Sequence, residues 1–448
     1  MVLSRRKFLI GSGTLAAATT LRPGNLLAAL ERQTLNPPAL SPAKDWASIR
    51  SQFPLVRDYL HFASFFLVSH PRPVRAAIED FRRALDANPF LVVVRGMFES
   101  EAENMQRKVC KEIAPYLDAE PTEIALTGNT TMGLALIYNG LPLKPGDEVL
   151  TTTHDHYSHH ESIRLAVERV GAGMRKMPLF DRPEDASVSG IVERIRSAIR
   201  PSTRALGVTW VHSSSGVRLP IREIARALEE INGKREEAHA VLLVVDGVHG
   251  LGAVDESIAR MGCDYFCAGT HKWIFAPRGT GIIWAAPKSW ARLRPTIPTF
   301  SKVESFDAWM NEKRDAGPND AARMTPGGFT AYEHQWAMGA AFRFHRQIGR
   351  PWVAERIRQL NDRCKSGLAA IPHLTLHTPR DPELSAGIIA FEVDRIAPKA
   401  VVNMLLERRI IASTSPYKVS YARLAPSLVN TPEEVDAVVA AVRAIART

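Results

Sequence analysis

Val241-Leu-Leu-Val-Val-Asp-Gly-Val-His-Gly250, followed by Tyr265-Phe-Cys-Ala-Gly-Thr-His-Lys272, decides the fold. An unbroken apolar, β-branched run that ends on Asp246 reads as a parallel strand buried on both faces, and its carboxyl end opens into a ligand crevice. The second run reads as a shorter strand ending on Lys272. A carboxylate and a lysine at neighbouring strand ends suit pyridoxal phosphate chemistry: the lysine condenses with the aldehyde and the aspartate keeps the pyridine nitrogen protonated, so that the ring can take up electrons.

Working outward, further strands are expected over 123–127, 148–153, 205–211 and 279–285, alternating with helical stretches, which predicts an α/β domain with a mainly parallel sheet. Residues of about 75–118 read as helical. A polar, turn-rich passage over 301–326 leads into a smaller C-terminal α+β domain, whose last helix opens on the capping pattern Thr431-Pro-Glu-Glu434. The expected division is 1–29 signal, 30–85 linker and N-terminal segment, 86–315 large cofactor-binding domain and 316–448 small domain.

The 448 residues carry a formal charge of +10, but Arg5, Arg6, Lys7 and Arg22 all precede the first acidic residue, Glu31, and supply four of those charges. The remaining excess is mild and no basic run with interleaved aromatics follows, so nucleic acid is not expected as a partner. Ser4-Arg-Arg-Lys-Phe-Leu9, an uncharged stretch to Thr20 and a small-residue site near Ala28-Ala29 resemble a bacterial twin-arginine signal. The resemblance implies export in the folded state and a periplasmic protein. The apolar stretch is too short for a stable membrane anchor. The four cysteines, at 110, 263, 267 and 364, show no metal-ligand spacing, and their sequence assigns no disulfide.

Asp246-x-x-His249 and Thr270-His-Lys272, with Ala276-Pro-Arg-Gly-Thr-Gly281 after them, resemble the class V aminotransferase family and its branch that includes isopenicillin N epimerase, from about Asp58 onward. The resemblance implies the transferase fold of pyridoxal phosphate enzymes and cofactor contacts from Asp246, His249, Thr270, His271 and Lys272. It also implies a homodimer whose partner subunit sends the Gly-Thr turn, here Gly328 and Thr330 within Thr325-Pro-Gly-Gly-Phe-Thr330, to the phosphate.

Leu126-Thr-Gly-Asn-Thr-Thr-Met-Gly133 leaves a strand and opens a helix, a geometry that offers free N–H groups to a phosphate, and Asn129 and Thr130 are its candidates. An ordinary helix cap is the plain alternative. The family position that approaches the ring hydroxyl falls on Ser213, with His212 beside it and a Ser-rich turn as the bland reading. His156, after Asp155, falls where the family stacks a histidine on the ring, a place for a proton carrier. Arg423 matches the arginine that forks a substrate carboxylate, and His61 and Phe65 of the N-terminal lead-in are expected in the pocket wall.

His154, His156 and His159 also support a zinc hydrolase reading, although Ser158 stands where that pattern wants a carboxylate. The chemistry expected is an aminotransferase or epimerase acting at the α-carbon of an amino acid, with a C–S or other β-lyase as the alternative and a non-catalytic periplasmic binder as a further one. Persulfide chemistry of the cysteine desulfurase kind is disfavoured, because Ile411-Ala-Ser-Thr-Ser-Pro-Tyr417 carries no cysteine where such enzymes have their nucleophile.

Overall fold

A computed structural model describes residues 45–99 and 102–447. The strands are β1 (Leu60–His61), β2 (Ile124–Thr127), β3 (Glu148–Thr152), β4 (Gly173–Met177), β5 (Thr203–Thr209), β6 (Leu242–Asp246), β7 (Tyr265–Gly269), β8 (Gly281–Ala285), β9 (Leu374–Leu376), β10 (Ile389–Val393), β11 (Ile410–Ile411), β12 (Ser413–Thr414) and β13 (Ala422–Leu424). Seven of them form the central sheet in the order β2-β8-β7-β6-β5-β3-β4. All neighbours are parallel except where β8 runs against β2 and β7.

Both faces of this sheet are covered, which is why its inner strands read as continuous apolar runs rather than alternating ones. Leu243 and Val245 of β6 face a core shared with the helices Arg72–Ala87, Met105–Leu117, Ile221–Asn232 and Tyr332–Ile348. Leu242 and Val244 face the opposite core, built with the helices Thr130–Gly140 and Tyr157–Val170. Gly133 lets the first of these rest directly on β7, since a Cβ there would collide with Cys267 Sγ. That contact seats the start of the helix at the carboxyl edge of the sheet.

A four-stranded antiparallel sheet, β12-β13-β10-β9, forms the second unit, packed with Phe62 and the helices Arg350–Ala369, Pro398–Glu407 and Pro432–Ile445. β1 joins it by pairing in parallel with β11. The helix Tyr332–Ile348, although late in the chain, shares the core of the first unit. Thr431 caps the last helix in a full capping box with Glu434.

Several elements differ from the sequence reading. The strand expected to reach Lys272 stops at Gly269, so the lysine lies three residues beyond it in a tight loop. Cys267 lies inside that strand, Cys263 precedes it, and all four cysteines are free and buried. β4 has no counterpart among the expected strands. The helical stretch is interrupted at Asn88, which caps a new short helix, and again by π-helical residues Val94–Glu99. The twin-arginine pattern and the linker residues up to 44 lie outside the described residues. Among the described residues no helix is long and apolar enough to cross a membrane.

Candidate active site

A cavity opens at the carboxyl ends of β2, β5 and β6, where an open α/β sheet binds its ligands. Asn129, Thr130, His156, Ser213, Asp246, His249, His271, Lys272 and Arg423 all line it. Residues far apart in sequence, from both structural units, thus converge on one cavity.

The register explains the centre of the site. Asp246, the last residue of β6, sits beside Thr209 of β5 and Cys267 of β7. Its Oδ1 accepts from the Val248 amide at 3.1 Å. Burial nonetheless dominates, raising the carboxyl to about 7. Burial also lowers Lys272 to about 8, with Asp246 opposing and Arg423 assisting the change. Lys272 Nζ lies 3.1 Å from His249 Nε2.

At the cavity's other end Asn129 caps the helix Thr130–Gly140: its Oδ1 accepts from the Met132 amide at 2.9 Å. The Asn129 carbonyl accepts from the Gly133 amide. Among the described residues the amides of Thr130 and Thr131 have no acceptor, so the capped helix start leaves two donors at its positive end, a geometry that suits an anion. The Thr130 hydroxyl is already engaged, accepting from the Gly269 amide at 2.8 Å.

Arg423, on β13 of the second unit, is buried with no acidic partner among the described residues. Its Nη1 donates to the Ser213 carbonyl and its Nη2 to the Thr414 carbonyl at 2.7 Å, while its Nε finds no partner there. The guanidinium lies 4.8 Å from the centre of the Phe65 ring. Burial brings its pKa down to about 10, so it still carries its charge at neutral pH and lacks an anion.

His156 caps the helix Tyr157–Val170, its Nδ1 accepting from the Ser158 amide at 3.2 Å. Burial, then Lys272 and Arg423, lower its pKa, so the ring is neutral at physiological pH. The Ser213 hydroxyl bonds the Tyr417 hydroxyl at 2.6 Å, and the Tyr417 ring meets the edge of His156 with centres 6.0 Å apart.

Other expected residues fall elsewhere. Thr270 is fully buried and turned away from the cavity, bonding the Thr280 hydroxyl at 2.7 Å; it braces the loop that carries Lys272. His61 does not line the cavity, because its Nε2 donates to the Val56 carbonyl at 2.9 Å; Phe65 and Phe66 form that wall instead. His212 is buried beside His154 and Phe180 with neither ring nitrogen bonded, so Ser213 alone faces the cavity. Gly328 and Thr330 do not line this chain's own cavity, and Thr330 is exposed.

The zinc reading fails on side-chain direction. His154 Nε2 accepts from the Leu179 amide at 3.1 Å, and His159 Nε2 bonds the Tyr138 hydroxyl at 2.6 Å on the far side of the strand end; only His156 faces the cavity. Among the described residues no three His, Cys, Asp or Glu side chains converge as a metal site.

Sequence reasoning missed what lies between these groups. Thr131 and Thr209 also line the cavity, and Thr131 was legible in the same Asn-Thr-Thr turn. Asp155 accepts from the Thr151 hydroxyl, the Thr152 amide and hydroxyl and, across the sheet, the Thr209 amide, all within 2.8 Å. It pins the end of β3 to the end of β5 and so fixes the turn bearing His156. Tyr417 gave no signal, since its partner Ser213 is remote in sequence.

The donor set fits pyridoxal phosphate: helix-start amides for the phosphate, a buried carboxylate for the ring nitrogen, and a lysine with lowered basicity for the aldehyde. The sequence matches the aminotransferase class-V family over residues 69–438, and the chain belongs to that family of pyridoxal phosphate-dependent enzymes. It is 26% identical to the isopenicillin N epimerase of Streptomyces clavuligerus, over 82% of this chain and 89% of that one. It is 24% identical to a cysteine desulfurase of Klebsiella pneumoniae subsp. pneumoniae, over 89% and 97%. Among solved structures, a cystine C–S lyase in complex with cysteine persulfide shares the fold at a TM-score of 0.75 and 21% identity, over 88% of this chain and 99% of that one.

Proposed function

We propose that this enzyme acts at the α-carbon of an amino acid or amino-acid derivative, as an epimerase or aminotransferase, with Lys272 as its cofactor-binding lysine. The observation that carries this reading is the meeting in one cavity of Lys272, Asp246, the helix start at Thr130 and Arg423, which has no acidic partner among the described residues. Bound there, the cofactor makes the bonds at the substrate's α-carbon labile by delocalising the electrons left behind. Arg423 offers a two-pronged contact to a carboxylate, which favours α-amino acids as substrates. His156, neutral and in the cavity, is the candidate proton carrier besides Lys272.

A C–S lyase is the second reading, supported by relatives and structural neighbours that act on cysteine and cystine. The loop Ile411–Tyr417 lacks the cysteine that persulfide transfer would need, which separates a lyase from a desulfurase. The Gly328-Phe329-Thr330 turn, with Phe329 and Thr330 exposed, supports a homodimer in which each chain completes the other's phosphate site. Export by the twin-arginine route to the periplasm rests on Arg5 and Arg6, and an Arg5→Lys/Arg6→Lys variant that is still exported would end it.

The decisive test is the visible spectrum of the purified protein before and after borohydride, with mass mapping. A cofactor band that bleaches, with the added mass on the Lys272 peptide, is expected. A protein that takes up no pyridoxal phosphate, or carries the adduct on another lysine, overturns the assignment.

A further inference from the structure

Trp273, next to the proposed cofactor lysine, bonds not to backbone or solvent but to His249. Its Nε1 lies 3.4 Å from His249 Nδ1, while His249 Nε2 lies 3.1 Å from Lys272 Nζ. The three side chains form a line of two contacts whose polarity is dictated by chemistry. An indole nitrogen can only donate, so His249 Nδ1 must accept. A neutral imidazole that accepts at Nδ1 carries its proton at Nε2, which can then only donate toward Lys272. An ammonium has three donors and no acceptor; a free amine has one lone pair.

We propose that Trp273 fixes the tautomer of His249, and that His249 in turn donates to the free-amine form of Lys272, enlarging the share of lysine ready to attack a carbonyl before any cofactor arrives. The inference rests on Lys272 being the cofactor lysine. It assigns to Trp273 a positioning role that its place beside the lysine in sequence does not reveal.

Burial supports the arrangement. His249 and Trp273 are 3% and 2% exposed, so the indole–imidazole contact is buried, while the contact to Lys272 borders the cavity. Burial, then Lys272 and Arg423, hold His249 well below the usual histidine range, which removes the doubly protonated ring as an alternative. The Phe65 ring lies against His249 with centres 5.7 Å apart. The indole is backed by Gly387 at φ +67, where a Cβ would come within 2.7 Å of Trp273 Cζ2.

The other groups facing Lys272 are Asp246 at the end of β6, Arg423 on β13, His156 at its helix start and His271 in its own loop. The cation and the carboxylate pull its basicity in opposite directions. Burial is the largest influence on the lysine, and the His249 donor, the group within hydrogen-bond distance of Nζ, adds to it by favouring the free amine.

The test is trace labelling of the full chain with fluorodinitrobenzene across a pH series, with the Lys272 peptide quantified by mass spectrometry. Wild type is expected to show a labelling midpoint near 8. Trp273→Phe frees His249 to accept from an ammonium and should raise the midpoint by about one unit, roughly a tenfold loss of free amine at neutral pH. Should Trp273→Phe fail to fold, the benzothienyl isostere at 273, with sulfur in place of the indole N–H, carries the test. A midpoint unchanged in a folded variant overturns the proposal. Because the label reports on the lysine without any cofactor, a shifted midpoint in a protein with no borohydride-trapped adduct would sink the proposed function and leave only the coupling of Trp273 to Lys272 through His249; an adduct with an unshifted midpoint would keep the proposed function and overturn the coupling.

Discussion

Replacing Asp246 with Asn should make the cofactor-free protein more stable while disabling the site. The folded carboxyl sits at about 7 against an ordinary value of 3.8, because burial penalises its charge. A raised folded value means that the native state holds a proton the unfolded chain has released. Stability is therefore lost as pH climbs from the unfolded value to the folded one, and the loss is complete above about 7. The difference of about three units corresponds to roughly 4 kcal/mol, an upper figure because a relaxing site or an entering water reduces it. Asn keeps the acceptor for the Val248 amide and has no charge to bury.

Urea denaturation of the cofactor-free wild type and Asp246→Asn proteins, below about pH 5 and above about pH 8, measures this directly. The wild type should lose stability across that interval relative to the variant. Added pyridoxal phosphate should restore the wild type at the alkaline end, where a ring cation pairs with the carboxylate, and should do little for the Asp246→Asn protein. Identical pH slopes in the two proteins, or a variant weaker at the alkaline end, would refute the view that Asp246 is held at a cost for the sake of a cationic ring.

Arg423→Lys keeps the charge but loses the fork, so kcat/KM for any amino-acid substrate should fall by about a hundredfold, the scale of a lost two-pronged ionic contact of some 3 kcal/mol. The same variant should handle the decarboxylated amine no worse than wild type; steady-state kinetics on the pair decides it. Phe329, 76% exposed beside Gly328, should lie in the dimer interface, so Phe329→Asp is expected to shift sedimentation velocity toward the monomer and weaken cofactor retention together. A Phe329→Asp protein that stays dimeric with full cofactor affinity would place the interface elsewhere.

The parts of the site legible in sequence are those that one short segment fixes by itself. The Val241–Asp246 run is readable because a strand covered on both faces has to be apolar throughout, and its terminal carboxylate then stands out. The turn at Asn129–Thr131 is readable because the residue types that cap a helix are those that leave its first amides open. β4, Gly173–Met177, is not: it is an edge strand carrying Arg175 and Lys176, and it is held by pairing with β3 rather than by an apolar pattern. The direction of β8 is equally hidden, since an apolar strand reads the same both ways. His61 is misplaced by sequence because the turn of a side chain toward Val56 or toward the cavity depends on packing across units. The Tyr417–Ser213 contact joins residues 204 apart, and no local rule anticipates it.

The seating of β1 also sets an order in time. It pairs with β11, the Phe62 carbonyl accepts from the Ala425 amide, the Asn430 side chain donates to the His61 carbonyl, and Arg50 pairs with Glu434. Nearly everything that seats this early segment is synthesised last. A ribosome delivers the chain from its N-terminus, so β1 waits for its strand partner until residues 410–411 have been made. The closing of that seam joins the first described strand to the unit that carries Arg423, so the early segment and the guanidinium of the cavity are set in place together.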